Sequence, residues 1–273
     1  MIDLHLHTTA SDGTLTPATL VARAAGAGLR IIAITDHDTL DGLPEARRAA
    51  TTHGVRVIDG VEITAVEDQR DVHMLGYFVD PAHSGLRDFL STQRADRVRR
   101  VRAMASRLAT LGFPIDVESL IAAAVLKPGR SIGRPQIAAA LVAAGHARDF
   151  ADAFDRLIGA DGAAYVPRQG ARPDDVIEIV RRAGGIVSMA HPGVTRLDHI
   201  IPRLAAAGMA ALEVRHSDHD ALAEQHYRAL AAEHGLAVSG GSDYHGDTGH
   251  RAAMLGAVVL SVEDFSRFES KRG

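Results

Sequence analysis

The residues that could do chemistry begin at once, in Ile2-Asp3-Leu4-His5-Leu6-His7 and then Ser11-Asp12-Gly13. Alternation of Ile2, Leu4 and Leu6 with Asp3, His5 and His7 predicts a strand that buries its apolar side and aims both imidazoles from the other. Two imidazoles so placed can share a metal ion, and Asp12 sits in a turn that can return a carboxylate toward the strand end. A buried strand with two hydrogen-bonded histidines would look the same over this stretch alone. Further along come His37 after Thr35-Asp36, Glu62 within Gly60-Val61-Glu62-Ile63, His73, His191 within Ala190-His191-Pro192, and Asp243 and His245 within Gly241-Ser242-Asp243-Tyr244-His245. A catalytic zinc typically takes three protein ligands, so a set of this size implies two or three divalent ions sharing bridging carboxylates, for which Glu62 and Asp243 are suited. The chain has no cysteine, which leaves nitrogen and oxygen as the donors.

These residues need a scaffold that gathers strand ends. Residues 17–27 read as a helix with Thr16 as N-cap and Pro17 at its first position, 30–35 as a β-branched buried strand, 43–53 as a second helix and 55–63 as a third strand. Such alternation predicts a parallel sheet with helices outside, and it puts His7, His37 and Glu62 at strand carboxyl ends, where chemistry gathers in these folds. His73 fits less well, because it opens its apolar run. The alternation resumes with a helix over 173–183, a strand over 186–190 that ends at His191, a helix over 198–207 and a strand over 210–215 followed by His216 and His219. A helix over 221–234, a strand over 236–241, a last strand over 253–260 and a closing helix over 262–268 complete it. Between the halves, helical periodicity covers 86–111, 117–126, 135–144 and 150–158, with no strand-like run. The expected architecture is therefore an α/β barrel made by residues 1–83 and 171–273, interrupted by a helical insertion over 84–170.

Within the insertion, the face carrying Arg94, Arg97, Arg99 and Arg100 reads as a solvated one with acidic partners. The loop Lys127-Pro128-Gly129-Arg130-Ser131-Ile132-Gly133-Arg134 is different, since three cations and a hydroxyl precede a helix N-terminus, a setting that suits an anion. Lys127, Arg130, Ser131 and Arg134 are its candidate contacts. The loop lacks the Gly-Lys-Ser/Thr ending of a nucleotide P-loop.

With 273 residues, 46% of them hydrophobic and 23% charged, the chain can bury a full core, and no apolar run approaches the roughly 20 residues of a membrane span. A formal charge of -4 argues against broad binding to nucleic acid through overall charge and leaves room for a local basic patch. Met1-Ile2-Asp3 offers no basic leader, so a cytoplasmic protein is expected.

The motifs Asp3-Leu4-His5-Leu6-His7 with Ser11-Asp12-Gly13, Thr35-Asp36-His37, Gly60-Val61-Glu62-Ile63, Ala190-His191-Pro192 and Gly241-Ser242-Asp243-Tyr244-His245 span nearly the whole chain. In this order they resemble the polymerase and histidinol phosphatase (PHP) family of metal-dependent phosphoesterases. The resemblance implies a distorted (β/α)7 barrel with a trinuclear centre of manganese, iron, zinc or magnesium, manganese first. His5, His7, Glu62 and Asp243 would surround one ion, Glu62, His73 and His191 a second, and Asp12, His37 and His245 a third. Such ions polarise a phosphoryl group and activate water, so no protein nucleophile is required, and His191, His216 and His219 are candidates for protonating the leaving oxygen.

The insertion resembles the branch that acts on nucleoside 3',5'-bisphosphates and on 5' ends of short RNA, for example taking the 5'-phosphate from adenosine 3',5'-bisphosphate to give 3'-AMP. Where that branch often has Gly-Arg-Pro-His, this chain has Gly133-Arg134-Pro135-Gln136, and Gln136 can hydrogen-bond but cannot carry charge. The expected partner is thus a small phosphorylated nucleotide or RNA end, with no membrane and no obligatory protein. Three rivals stand beside this: a histidinol-phosphate phosphatase, favoured if Asp36 and Asp38 form an acidic rim; a non-catalytic module supporting a polymerase, which would tend to lose ligands that are all present here; and a barrel deaminase, which the Ser-Asp-Tyr-His ending fits less well.

Overall fold

The structure is a computed structural model that describes residues 1–125, 132–248 and 251–272. It begins β1 (Ile2–Asp3), α1 (Pro17–Gly26), β2 (Ile31–Ile34), α2 (Leu43–His53), β3 (Arg56–Glu67) and β4 (Arg70–Tyr77). The helices α3 (Ser84–Thr110), α4 (Val117–Val125), α5 (Arg134–Ala143) and α6 (Phe150–Ala153) follow, the last running into a π turn over Phe154–Ile158. Then come α7 (Pro173–Arg182), β5 (Ile186–Met189), α8 (Pro192–Thr195), α9 (Ile201–Ala206), β6 (Ala211–His216), α10 (Ala221–Glu233), β7 (Ala237–Gly241) and α11 (Val262–Glu269). Caps set the starts: the side chains of Thr16, Asp220 and Ser261 accept from the amides of Thr19, Ala223 and Asp264, each satisfying a donor the first turn leaves free.

The strands pair in chain order from β1 to β7. The β1/β2, β2/β3, β5/β6 and β6/β7 pairs are parallel, whereas β4 runs antiparallel to both β3 and β5. This departs from the all-parallel expectation, and the cause is local. Glu67 pairs with Arg70 across a two-residue connection, Asp68-Gln69, with both residues at positive φ (48° and 61°). A hairpin this tight can only reverse the chain. Because β4 is inverted, its early residue His73 lies opposite Thr64, at the same end of the barrel as the carboxyl ends of the parallel strands.

The seam between β7 and β1 is closed by the chain that carries the histidines. Leu4 N donates to Gly240 O (3.1 Å), His7 N donates to Tyr244 O (3.0 Å) and Leu6 bridges Tyr244. Asp3 accepts from Ser242 N (2.9 Å) and Ser242 Oγ (2.6 Å), and burial pushes its carboxyl up to about 7. A Cβ at position 241 would lie 2.3 Å from His5 N, so the seam needs Gly241. Leu4 and Leu6 are as deeply buried as His5 and His7, so the stretch has no solvent face. With no open edge left, residues 253–260 form turns rather than the expected last strand and touch the sheet through a single bridge, Ile2 to Leu260. The expected helix over 198–207 is shortened to a 3-10 turn over Asp198–Ile200 followed by α9.

Two apolar cores result. One, including Leu6, Ile32, Ile63, Met74, Val187 and Leu212, fills the barrel and the layer beneath its helices. The other, including Val101, Met104, Leu108, Ile121, Ile137 and Leu141, lies among the inserted helices. The 27-residue α3, roughly 40 Å long, contributes Leu86 and Leu90 to the first and Val101, Met104 and Leu108 to the second. No helix among the described residues is long and apolar enough to cross a membrane.

At the end of the chain α11 places Phe268, fully buried, edge-on to Tyr77 (5.1 Å between centroids). Removing a buried ring leaves a cavity and loses its transfer energy, so Phe268→Ala should cost about 3–5 kcal/mol of stability. The shift in urea midpoint at constant slope measures this.

Candidate metal centre

Glu62, buried on β3, is surrounded by imidazoles. Its Oε2 lies 3.4 Å from His5 Nε2, 3.2 Å from His7 Nε2 and 3.1 Å from His37 Nδ1, and its Oε1 lies 2.8 Å from His73 Nδ1 and 3.3 Å from His191 Nε2. Asp243 Oδ1 sits 3.3 Å from His5 Nε2 and 3.1 Å from His7 Nε2. Asp12, in the turn after β1, lies 3.7 Å from His7 Nδ1, 3.8 Å from His37 Nε2 and 3.3 Å from His245 Nε2. All the residues picked from the sequence as ligands therefore converge. Their donor atoms fall into overlapping groups within 4.8 Å: His5, His7, Glu62 and Asp243; His7, Asp12, His37 and His245; and His37, Glu62 and His73. His191 joins through its contact with Glu62.

The donor chemistry fits cations. His5 Nε2, both ring nitrogens of His7, His37 Nδ1, Asp12 Oδ1 and Asp243 Oδ1 are buried without a hydrogen bond, a condition that costs about 1–3 kcal/mol per group unless something else binds it. Burial by itself would raise the carboxyls of Glu62, Asp12 and Asp243, yet the neighbouring histidines hold all three well below the usual range. Burial likewise opposes a charge on His7, but Asp243 and Glu62 push it up to about 10. These groups favour positive charge between the carboxylates. Asp38, His191 and Asp243 also hold positive φ (54°, 27° and 50°), a strain that side chains with Cβ accept where the surroundings over-determine them.

One positioning residue escaped the sequence analysis. Glu213 on β6 is fully buried, lies 2.9 Å from His5 Nδ1 and accepts from His191 N (2.7 Å), which leaves His5 Nε2 facing Glu62 and Asp243. The register of β6 against β7 shifts between Glu213 and Arg215, so the extra residue turns Glu213 and His216 to the same side. The only hint was a carboxylate inside the apolar run Ala211-Leu212-Glu213-Val214.

Hydrogen bonds commit two of the three proton-donor candidates. His219 accepts from Gly193 N at Nε2 (3.1 Å), so its proton is on Nδ1, 2.9 Å from Val214 O. His216 accepts from Asp218 N at Nδ1 (3.1 Å) and directs Nε2 at Asp243 Oδ2 (3.4 Å). His191 retains a buried Nδ1 without a partner. Arg251, which the sequence did not suggest, bonds Asp243 and also Asp218 (2.5 Å).

Two further expectations are corrected. Asp36 and Asp38 form no acidic rim: Asp36 is buried and accepts from Thr8 N, Thr8 Oγ1 and Ser11 Oγ, and Asp38 is buried and paired with Arg97 (2.5 Å). The arginine face of α3 is not all solvated either. Arg97 and Arg100 are buried and Arg94 donates to Asp38 O, while Arg99 alone of the four faces solvent beside Asp96. Arg97, Arg100, Arg134 and Arg168 line a cavity of about 160 Å³ that reaches Asp12, His37 and His73. Asp71 lies 3.3 Å from Arg100, 3.2 Å from Arg134 and 3.7 Å from Arg168. Burial first, then repulsion from Arg97 and Arg100, lowers Arg168 to about 10. Of the expected anion-binding loop, Arg134 is among the described residues, whereas Lys127, Arg130 and Ser131 lie outside them.

A family profile described as "PHP domain" matches residues 3–163. The chain belongs to the PHP domain family. It is similar to the 5'-3' exoribonuclease Rnm of Salmonella typhimurium, with 36% identity over 250 residues that cover 89% of this chain and 84% of the relative. It is also similar to the 3',5'-nucleoside bisphosphate phosphatase of Chromobacterium violaceum, with 34% identity over 261 residues covering 91% and 90%. A crystal structure from Bifidobacterium adolescentis, of a protein assigned as a metal-dependent phosphoesterase, superposes with a TM-score of 0.88 at 36% identity over 99% of this PHP chain and 96% of that one.

A ligand that binds only the folded state stabilises it, by about 2.7 kcal/mol at a hundred times its Kd. Manganese should therefore raise the melting temperature, and Glu62→Gln, which alters two of the groups above, should remove most of the rise. An undiminished rise in the variant would place the ions elsewhere.

Proposed function

We propose that this metal-dependent phosphoesterase hydrolyses a phosphate monoester from a substrate that carries a second phosphate, a nucleoside 3',5'-bisphosphate or the end of a short RNA. The nine residues His5, His7, Asp12, His37, Glu62, His73, His191, Asp243 and His245 are proposed to hold two or three divalent ions. Manganese is the first to test, since the donors are nitrogen and oxygen alone. Bound there, such ions supply charge to a phosphoryl group and make a water acidic enough to attack phosphorus near neutral pH.

The observation that carries the substrate class is the arginine cavity beside those residues. Arg97, Arg100, Arg134 and Arg168 bring four guanidinium groups against three carboxylates, Asp38 and Asp71 in contact with them and Asp12 on the cavity wall. Arg100 Nη2 and Arg168 Nε and Nη1 are buried without a hydrogen bond. A phosphate offers acceptors in the planar arrangement that guanidinium matches, and the excess charge suits a dianion. The insertion 84–170 is proposed as the subdomain that caps the barrel of residues 1–83 and 171–273 and supplies Arg97, Arg100, Arg134 and Arg168. A cationic substrate such as histidinol phosphate meets four arginines instead of an acidic rim, which disfavours that rival. A cytoplasmic location is proposed with this activity, where nucleotides and RNA ends are found.

The test is phosphate release by the manganese-loaded protein from adenosine 3',5'-bisphosphate, 5'-AMP, 3'-AMP and histidinol phosphate, with the remaining nucleotide identified. The bisphosphate should be preferred over both monophosphates. A lost charge-assisted hydrogen bond costs about 1.5–3 kcal/mol, so Arg134→Ala and Arg168→Ala should each lower kcat/KM for the bisphosphate, relative to the monophosphates, by roughly ten-fold to a hundred-fold. Equal losses on every substrate would show that the arginines support the fold and do not read a second phosphate.

A further inference from the structure

We infer that a groove beside α6 seats the nucleobase of the substrate, with the ring of Phe150 as its stacking face. This rests on the nucleotide reading above. Of the seven phenylalanines and four tyrosines in the chain, Phe150 is the only one with an exposed side chain, at 50%. It lines a groove of about 790 Å³, a size common for small-molecule sites. The groove is continuous with the candidate centre, because Asp12 and His245 form part of its wall.

The placement follows from the start of α5. Pro135 and Gln136 line the groove and also line the arginine cavity, as does Asp12, so the two spaces flank one helix end. A nucleoside bisphosphate has three arms: the reacting phosphate, the second phosphate and the base. With the first at the histidine and carboxylate cluster and the second among the arginines, the groove offers the third arm a space that touches the centre and presents an apolar wall. Pro135, Ala139 and Phe150 form that wall.

The platform is held in place. Asp149 caps α6 by accepting from Asp152 N (2.8 Å), and the buried Asp152 is clasped by Arg148 (3.0 Å) and Arg156 (2.8 Å). Gln136, on the groove's wall, is fixed in its turn by accepting at Oε1 from Gly133 N (2.8 Å). Stacking on an aromatic ring tolerates any base, because every base has a π face, so the four bases should be accepted alike.

The experiment compares kcat/KM of the manganese-loaded enzyme for adenosine 3',5'-bisphosphate with that for the abasic tetrahydrofuran 3,5-bisphosphate. Wild type should prefer the nucleotide, and Phe150→Ala should reduce that preference by about five-fold to a hundred-fold, through KM, as expected for one lost stacking contact. Phe150→Tyr should restore it, whereas Phe150→Leu should restore only part. The preference should change little among adenosine, guanosine, cytidine and uridine bisphosphates. An unchanged preference in Phe150→Ala, or a wild type indifferent to the base, overturns the stacking assignment while leaving the bisphosphate reading standing. Turnover of neither compound by wild type overturns both.

Discussion

One buried carboxylate organises the centre. Glu62 lies within 3.4 Å of ring nitrogens from His5, His7, His37, His73 and His191, which come from four separate segments of chain. Five imidazoles cannot all satisfy one carboxylate by hydrogen bonding, and several of the ring atoms are left buried without a partner. The arrangement becomes favourable when cations occupy the gaps, and metal ions that bind it are then part of the folding energy. Placing these segments accounts for much of the barrel's irregularity: the tight seam at Gly241, the inverted β4 and the shifted register of β6 each bring a polar side chain to this end.

Much of that was legible because it is written in short local patterns. His5 and His7 alternate with leucine, and His37, His191 and Asp243 terminate apolar runs, so strand periodicity alone delivers them to one end of an α/β fold. The barrel and the helical segment after His73 follow from the same periodicities. What was not legible depends on chain direction or on distant packing. His73 looked misplaced because a parallel sheet was assumed, and only the positive φ of Asp68 and Gln69 makes the reversal. Asp68-Gln69 contains neither glycine nor asparagine, so the turn signal is weak. The supposed strand over 253–260 failed for a global reason: β7 already pairs with the segment that follows β1.

The arginines show a different limit. Arg97 and Arg100 are three residues apart on a helix crowded with charge, which from the sequence describes a solvated face as well as a functional one. Their burial depends on how the inserted helices fold back, bringing Val166 O to Arg100 Nε (2.8 Å) and Arg168 alongside Asp71 (3.7 Å). Arg168 lies outside any described helix or strand, so no periodicity pointed to it. Glu213 is the opposite case, a lone carboxylate in an apolar strand whose meaning appears only when His5 is opposite it.

The two halves of the site solve one electrostatic problem from opposite sides. The barrel end gathers carboxylates and imidazoles that favour cations, whereas the cavity under α3 and α5 gathers guanidiniums that favour an anion. Asp71 holds the second set together by contacting three of its members, but one carboxylate cannot neutralise them, and burial first, with repulsion from Arg97 and Arg100 added, brings Arg168 down to about 10. A substrate with a single phosphate would relieve the charge on one side only. Under the proposed reading a second phosphate would relieve both, and since guanidinium groups do not deprotonate at physiological pH, such a preference would be held in the protein itself and persist whichever divalent ion fills the centre.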